Sequence, residues 1–327
     1  MKGVFLDQAS LLRPVVSGDD DVDLSPLTAL FPDWRFYNKT MPEQTAERVL
    51  GADIIICNKV VLDRACLQQA IAHEQALRLI CVAATGTNNI DLPAAREFGI
   101  NVCNVTNYAT PSVTEHVFAL MLALVRRLPD YQRIVAGGRW QRSEQFCLLD
   151  FPITELSGRK LGIVGYGELG RSVARVAEAF GMQVLLAVRP GSEACDGRMP
   201  LEQMLAEVDV LSLHCPLTAD TQGLIGAAEL ALMQPHALLI NTARGGIVDE
   251  QALADALRNN RLGGAAVDVL SSEPPVDGNP LLARDIPGLI VTPHIAWASR
   301  ESRQCLINEI AANIHAWIRR EQSNRVC

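Results

Sequence analysis

The segment from Lys160 to Phe180 constrains this chain more than any other. An apolar run, Leu161–Val164, leads into Gly165-Tyr-Gly167-Glu168-Leu169-Gly170, and Val173, Val176, Ala177 and Phe180 then recur at helical spacing. A strand that turns at once into a helix, with glycines in this G-x-G-x-x-G pattern, suits few folds. The first glycine permits the tight turn, the second lets a backbone approach a pyrophosphate, and the third lets helix and strand pack closely. The unpaired N–H groups at the helix start, around Glu168 and Leu169, and the positive end of the helix dipole then favour phosphate. The segment reads as a dinucleotide-binding loop inside a parallel α/β sheet.

The rest of the chain agrees with that architecture. Strand patterns at Gly3–Leu6, Trp34–Tyr37, Asp53–Cys57, Arg78–Ala83 and Asn101–Val105 alternate with helical patterns at Pro42–Gly51, Asp63–Ala70 and Leu92–Phe98. A second alternation runs from Lys160 through strands ending at Val188, Leu213, Asn241, Val269 and Thr292. Strands joined by crossover helices imply parallel sheets. Thr110–Arg127 reads as a helix with Val113, Val117, Leu120, Met121 and Leu124 on one face. Ser299–Arg320 reads as a closing helix with Leu306, Ile310, Ile314 and Ile318 on one face. At 327 residues, 49% of them apolar, the chain has material for two domains with real cores.

A net charge of −8 argues against a nucleic-acid partner, whose binders carry a basic face. No apolar run reaches the roughly 18 residues that span a bilayer, and the N-terminus does not read as a secretory signal. Nine scattered cysteines without a C-x-x-C pair read as free thiols in a reducing cytoplasm, with no disulfide framework and no metal site.

The second strand after the glycine loop should end in a carboxylate if the adenosine ribose 2′-OH is to be bonded. Val188 holds that place and Arg189 follows. A missing carboxylate beside an arginine suits a 2′-phosphate, so NADP(H) is favoured over NAD(H).

Three later segments each begin at the C-terminal end of an expected strand. They are Asn241-Thr-Ala-Arg244-Gly-Gly-Ile-Val-Asp249, Val267-Asp268-Val-Leu-Ser-Ser-Glu273-Pro274 and Thr292-Pro293-His294-Ile-Ala-Trp297. In an open α/β sheet, ligands sit at that edge. Taken singly, Arg244, Glu273 and His294 would be ordinary loop residues. Together, downstream of a dinucleotide loop, they form a set able to reduce a carbonyl. His73, His116, His236 and His315 belong to no such constellation.

On these segments the chain resembles the D-isomer-specific 2-hydroxyacid dehydrogenase family, over almost its whole length. The motifs Ala83–Asp91, Gln145–Cys147, Leu213–Leu217 and His294–Ala298 are most similar to its glycerate dehydrogenase and hydroxypyruvate reductase branch. The resemblance implies that Arg244 grips the substrate carboxylate and polarises the C2 carbonyl. It implies that His294 is the general acid–base and that Glu273 bonds its other ring nitrogen. Thr85 and Gly86 would bind the substrate carboxylate through N–H groups. Thr242, Ala243 and Asp268 would lie on the nicotinamide side, and His214, Cys215 and Pro216 beneath the adenine and ribose.

The family further implies two Rossmann-like or flavodoxin-like doubly wound domains with an active-site cleft between them. Residues 1–104 with 294–327 would form the substrate domain and 105–293 the cofactor domain. A homodimer is implied as well, and Trp140 and Phe146 in the irregular stretch Gly137–Phe151 are candidate contacts. The favoured substrate is hydroxypyruvate, with glyoxylate second. Ketogluconate, lactate-type and phosphoglycerate substrates remain alternatives, as does a non-catalytic nucleotide-sensing scaffold. Formate is disfavoured, because Glu273 stands where that branch carries glutamine.

Overall fold

A computed structural model describes residues 1–12, 21–72, 77–188, 197–321 and 324–327; His73 and Arg189 lie outside the described residues. The chain forms two units, Met1–Ala109 with Ala298–Cys327, and Thr110–Trp297.

Among the described residues the first unit holds five strands: β1 Lys2–Phe5, β2 Asp33–Phe36, β3 Ile54–Cys57, β4 Leu79–Val82 and β5 Asn101–Cys103. Their order is β2-β1-β3-β4-β5 and every pairing among them is parallel. That is the flavodoxin-like doubly wound order. Position in the sheet explains composition. The central strands β3 and β4 are apolar and buried along their whole length, because helices cover both faces. The edge strand β2 alternates exposed Asp33 and Arg35 with half-buried Trp34 and Phe36.

The helix Arg300–Ile318 belongs to this first unit and packs on β4 and on the short helix Ser25–Thr28. The Ser299 hydroxyl caps it by accepting the Ser302 N–H. Leu306, Ile310 and Ile314 are fully buried, but Ile318 is 37% exposed, so the expected apolar face stops one turn early. Arg303, almost fully buried, pins the helix start by donating to the Leu11 carbonyl and to both Asp21 carboxylate oxygens.

The second unit holds β6 Lys160–Val164, β7 Gln183–Leu186, β8 Val210–Leu213, β9 Leu238–Asn241, β10 Gly264–Val267 and β11 Leu289–Val291. They lie in the order β11-β10-β9-β8-β6-β7, all parallel. A parallel bridge between Ala187 and Met199 extends the sheet beyond β7. With it the sheet has the doubly wound Rossmann order, its outermost strand reduced to a bridge. The strand order reverses at β6, so the glycine loop leaves the sheet at the switch point where such folds bind ligands.

The helix Thr110–Val125 buries Val113, Val117, Leu120, Met121 and Leu124, as its spacing requires. It ends two residues short of the expected Arg127, which takes a left-handed φ of 54°. The following helix, Leu128–Ala136, has no fully buried residue, which is why its pattern is faint in the sequence. In the helix Glu168–Ala179, Val173 and Ala177 are buried and Val176 is half-buried. Phe180 departs from expectation. It lies past the helix end and stays 40% exposed, one ring face stacked on Phe118 at 5.3 Å. The described cysteines are all free. No helix among the described residues is long and apolar enough to cross a membrane.

Candidate active site

The glycine loop has the geometry its pattern requires. Gly165 sits at φ 96°, and a Cβ there would fall 2.6 Å from the Cys215 nitrogen and the His214 carbonyl carbon. The loop therefore backs directly onto the loop after β8. A Cβ on Gly170 would run into the Gly165 carbonyl oxygen, so helix and strand touch there. At Gly167, by contrast, a Cβ would meet no heavy atom within 4 Å. Open space at the middle glycine, beside free helix-start N–H groups, is what a pyrophosphate needs. Glu168 is turned to another task, accepting the Thr110 hydroxyl at 2.6 Å.

Two buried polar atoms near this edge, His214 Nδ1 and Thr242 Oγ1, lack a hydrogen-bond partner among the described residues. Buried polar groups are nearly always satisfied, so each marks a place where a ligand atom would be welcome. The His214 ring is anchored by Ser212, whose hydroxyl lies 2.9 Å from Nε2, and burial pushes the imidazole down to about 4. Its backbone N–H ties β8 to β6 through the Val164 carbonyl. Cys215 is buried, and the Pro216 carbonyl accepts the Thr221 hydroxyl at 2.6 Å, which closes the loop. Val188, half-buried, donates its N–H to Met199 at the sheet edge; its side chain has no oxygen to offer a ribose hydroxyl.

Arg244, Glu273 and His294 follow three neighbouring strands that end level. Asn241, Val267 and Val291 stand side by side in the register of β9, β10 and β11. Two strand spacings, about 10 Å, separate the outer pair. The buried Asn241 shapes the first loop. Its Oδ1 accepts the Ala243 N–H and its Nδ2 donates to the Arg244 carbonyl. Gly245 then lies so close to the Leu270–Ser271 backbone that a Cβ would collide with it, which brings the first and second loops into contact. Glu250 holds the second loop by accepting the Ser271 N–H and hydroxyl. Glu273 Oε1 accepts the Leu270 N–H, and Oε2 lies 2.5 Å from His294 Nδ1.

An ionised carboxylate only accepts, so the His294 Nδ1–H donates to Glu273. Among the described residues Nε2 has no protein partner, which leaves it for a substrate oxygen. Arg244 is exposed and donates through Nη1 to the Ala243 carbonyl at 2.7 Å; Nε and Nη2 have no protein partner among the described residues. The structure thus joins His294 to Glu273 directly, and brings the loop that carries Arg244 against the loop that carries Glu273 through Gly245.

Asp268, 1% exposed, spends both carboxylate oxygens on the segment that carries His294. Oδ1 accepts the Thr292 hydroxyl at 2.5 Å and the Ile295 N–H at 2.9 Å, and Oδ2 accepts the Ala296 N–H at 2.9 Å. His116, without a role in the sequence reading, lies 3.1 Å from Thr292 Oγ1. Asn241, Thr292 and His116 are the site residues that sequence reasoning passed over. The first two lie inside quoted motifs, but nothing in the spacing around His116 marks it.

In the first unit, Thr85 follows β4 and is exposed, its hydroxyl donating to the Val105 carbonyl at 3.0 Å. The Thr85 carbonyl accepts from Asn104 Nδ2 at 2.7 Å. Among the described residues, neither the Thr85 nor the Gly86 N–H donates to a protein acceptor.

Comparison with known proteins bears on the same segments. Residues 118–296 match the model of the D-isomer specific 2-hydroxyacid dehydrogenase NAD binding domain. A glycerate dehydrogenase of Methylorubrum extorquens is 45% identical over 99% of this chain and 98% of its own length. A hydroxypyruvate reductase of Blautia hydrogenotrophica is 33% identical over 87% of this chain and 88% of its own. A solved structure from Thermus thermophilus superposes over all of both chains with a TM-score of 0.84 at 30% identity. The chain belongs to the D-isomer specific 2-hydroxyacid dehydrogenase family.

Proposed function

We propose that this protein interconverts a small 2-keto acid and its D-2-hydroxy acid using NAD(P)(H), with hydroxypyruvate and D-glycerate as the preferred pair and glyoxylate as a second substrate. The His294–Glu273 dyad, beside Arg244 at three level strand ends, carries this reading. The names of its relatives support the substrate choice: glycerate dehydrogenase, hydroxypyruvate reductase and glyoxylate reductase.

The free Arg244 N–H groups grip the carboxylate of the substrate in a planar fork and draw electron density from the C2 carbonyl. A reduced nicotinamide, when bound, supplies the hydride. His294 in its charged form gives the Nε2 proton to the carbonyl oxygen, and Glu273 stabilises that charge through Nδ1. In the oxidative direction neutral Nε2 takes the hydroxyl proton. The Thr85 and Gly86 N–H groups are assigned to the substrate carboxylate. For the cofactor, Gly165, Gly167, Glu168, Leu169 and Gly170 hold the pyrophosphate through backbone, and His214, Cys215 and Pro216 lie under the adenosine. Thr242, Ala243 and Asp268 stand on the nicotinamide side. Val188 supports acceptance of NADPH, since its side chain carries no charge to repel a 2′-phosphate. We further infer a cytoplasmic homodimer, supported by the free thiols and by an exposed apolar stretch around Trp140 and Phe146.

Mixing the protein with NADPH and hydroxypyruvate should give steady loss of nicotinamide absorbance. Replacing His294 by Ala should lower kcat by about 10²–10⁴-fold while cofactor affinity is retained. A variant that keeps full activity would remove His294 from the acid–base role.

A further inference from the structure

His294 itself is in an unfavourable backbone conformation. Its φ is 55°, in the left-handed region, where the Cβ of an L-residue crowds the backbone. Something must hold it there. Its N–H donates to the Asp268 carbonyl at 2.8 Å, and its carbonyl accepts the Trp297 indole N–H at 3.0 Å. The flanking residues Thr292, Ile295 and Ala296 are tied to the Asp268 carboxylate. These ties come from Asp268 at the end of β10 and from the turn itself.

A further grip comes from a different element. On the helix Thr110–Val125, Ser112 and His116 stand one turn apart and so share a face. The Ser112 hydroxyl donates to the Ala296 carbonyl at 2.7 Å. His116 Nε2 lies 3.1 Å from Thr292 Oγ1 and 3.6 Å from Asp268 Oδ1. The sense of the His116–Thr292 bond follows from proton counting. A threonine hydroxyl has one proton, and here it goes to the ionised Asp268 carboxylate. Towards His116 it can only accept. His116 must therefore carry its proton on Nε2 and donate it.

We propose that His116, as an Nε2–H donor, is a positioning residue for the acid–base His294. It polarises and orients the Thr292 hydroxyl on Asp268, and with Ser112 it clamps both ends of the strained turn from one helix face. The proposal takes its catalytic readout from the reaction proposed above. It predicts a defect in the chemical step more than in binding, because the hydrogen bond of His116 goes to Thr292 in the turn behind His294, while Asp268, the one group assigned to the cofactor side that it approaches, lies at 3.6 Å, beyond hydrogen-bond reach.

The test compares the wild type with H116L, which removes the donor, and H116Q, whose amide nitrogen restores a donor at a similar reach. Hydroxypyruvate reduction gives kcat and KM, fluorescence titration gives NADPH affinity, and ¹⁵N spectra of the histidine rings report the His294 environment. For H116L we expect a kcat loss of about 10–100-fold, with KM and NADPH affinity held within about twofold, since small misplacements of a catalytic group have costs of that order. H116Q should recover kcat to within about threefold of wild type, because it restores the same bond. H116L with wild-type kcat, or H116Q as impaired as H116L, overturns the proposal. If the wild type reduces no 2-keto acid, the spectra still decide. A His294 signal displaced in H116L and restored in H116Q upholds the clamp while the dehydrogenase reading falls, and a signal unmoved in H116L removes the clamp.

Discussion

Three glycines of one motif do separate jobs, and single-residue changes should separate them. Gly167 has open space where a Cβ would go, and Gly170 has the Gly165 carbonyl oxygen. G167A should therefore keep the melting temperature of the cofactor-free protein yet weaken NADPH binding at least about tenfold, because the methyl intrudes where a pyrophosphate approaches. G170A should lose about 1–3 kcal/mol of stability in urea unfolding even without cofactor, as overpacked sites do. Equal effects from both substitutions would contradict this division. His214 offers a second test. Its imidazole is held down to about 4 by burial, against about 6.5 in an unfolded chain. Above pH 6.5 the ring is neutral in both states and contributes nothing to the pH dependence. Between 6.5 and 4 the unfolded chain takes up a proton that the folded one refuses, so stability falls as pH falls. From pH 7 to pH 5 the wild type should lose about 2 kcal/mol more than H214Q in urea titrations. Parallel losses would show that the ring titrates normally.

At the scale of elements, function depends on where strands stop. The ends of β9, β10 and β11 are level, so three loops of unrelated sequence present an arginine, a glutamate and a histidine at one edge. The apolar spacing that defines these strands is plain in the sequence, and so are the three residues beyond them. Which loops touch is not. Gly245 against Leu270–Ser271, and the Asp268 carboxylate against residues 292–296, are contacts between segments more than twenty residues apart in sequence. The helix Thr110–Val125 is a similar case: its buried stripe is legible, while the polar grip of Ser112 and His116 is hidden among ordinary helix positions. The proposed cofactor choice belongs to the end of β7, where the Val188 side chain offers no carboxylate to a ribose hydroxyl and V188D should supply one. We expect kcat/KM to shift towards NADH by about tenfold or more relative to NADPH, the scale of one charge-assisted bond gained against one repulsion added. Wild-type preference for NADH would defeat the NADPH assignment at the outset.

For the whole molecule, the chain returns to its starting unit. Residues from Ala298 onward complete the unit begun at Met1, and Leu306, Ile310 and Ile314 supply part of the buried interior there. The second unit is continuous and contains all three proposed catalytic side chains. Its surface also carries the two most exposed large apolar residues among those described, Phe146 at 90% and Leu149 at 81%, with Trp140 nearby in sequence at 52%. Such a group is costly on an isolated monomer and suits an interface between copies. Sedimentation velocity at micromolar concentration should show a dimer, and F146D with L149D should convert it to a folded monomer. A wild-type monomer at all concentrations would discard the assembly.

The amino-acid sequence by itself determined the two runs of alternating strands and helices, the glycine loop, and the residue types at the strand ends. Periodicity and turn chemistry are local, and they act through neighbours along the chain. Tertiary structure alone decided that His294 takes a left-handed turn, that Gly245 meets the Leu270–Ser271 backbone, and that a helix beginning at Thr110 reaches Thr292. Those are contacts between distant segments, set by sheet order and register, and no local pattern encodes which side chain will lie opposite another once the strands have assembled.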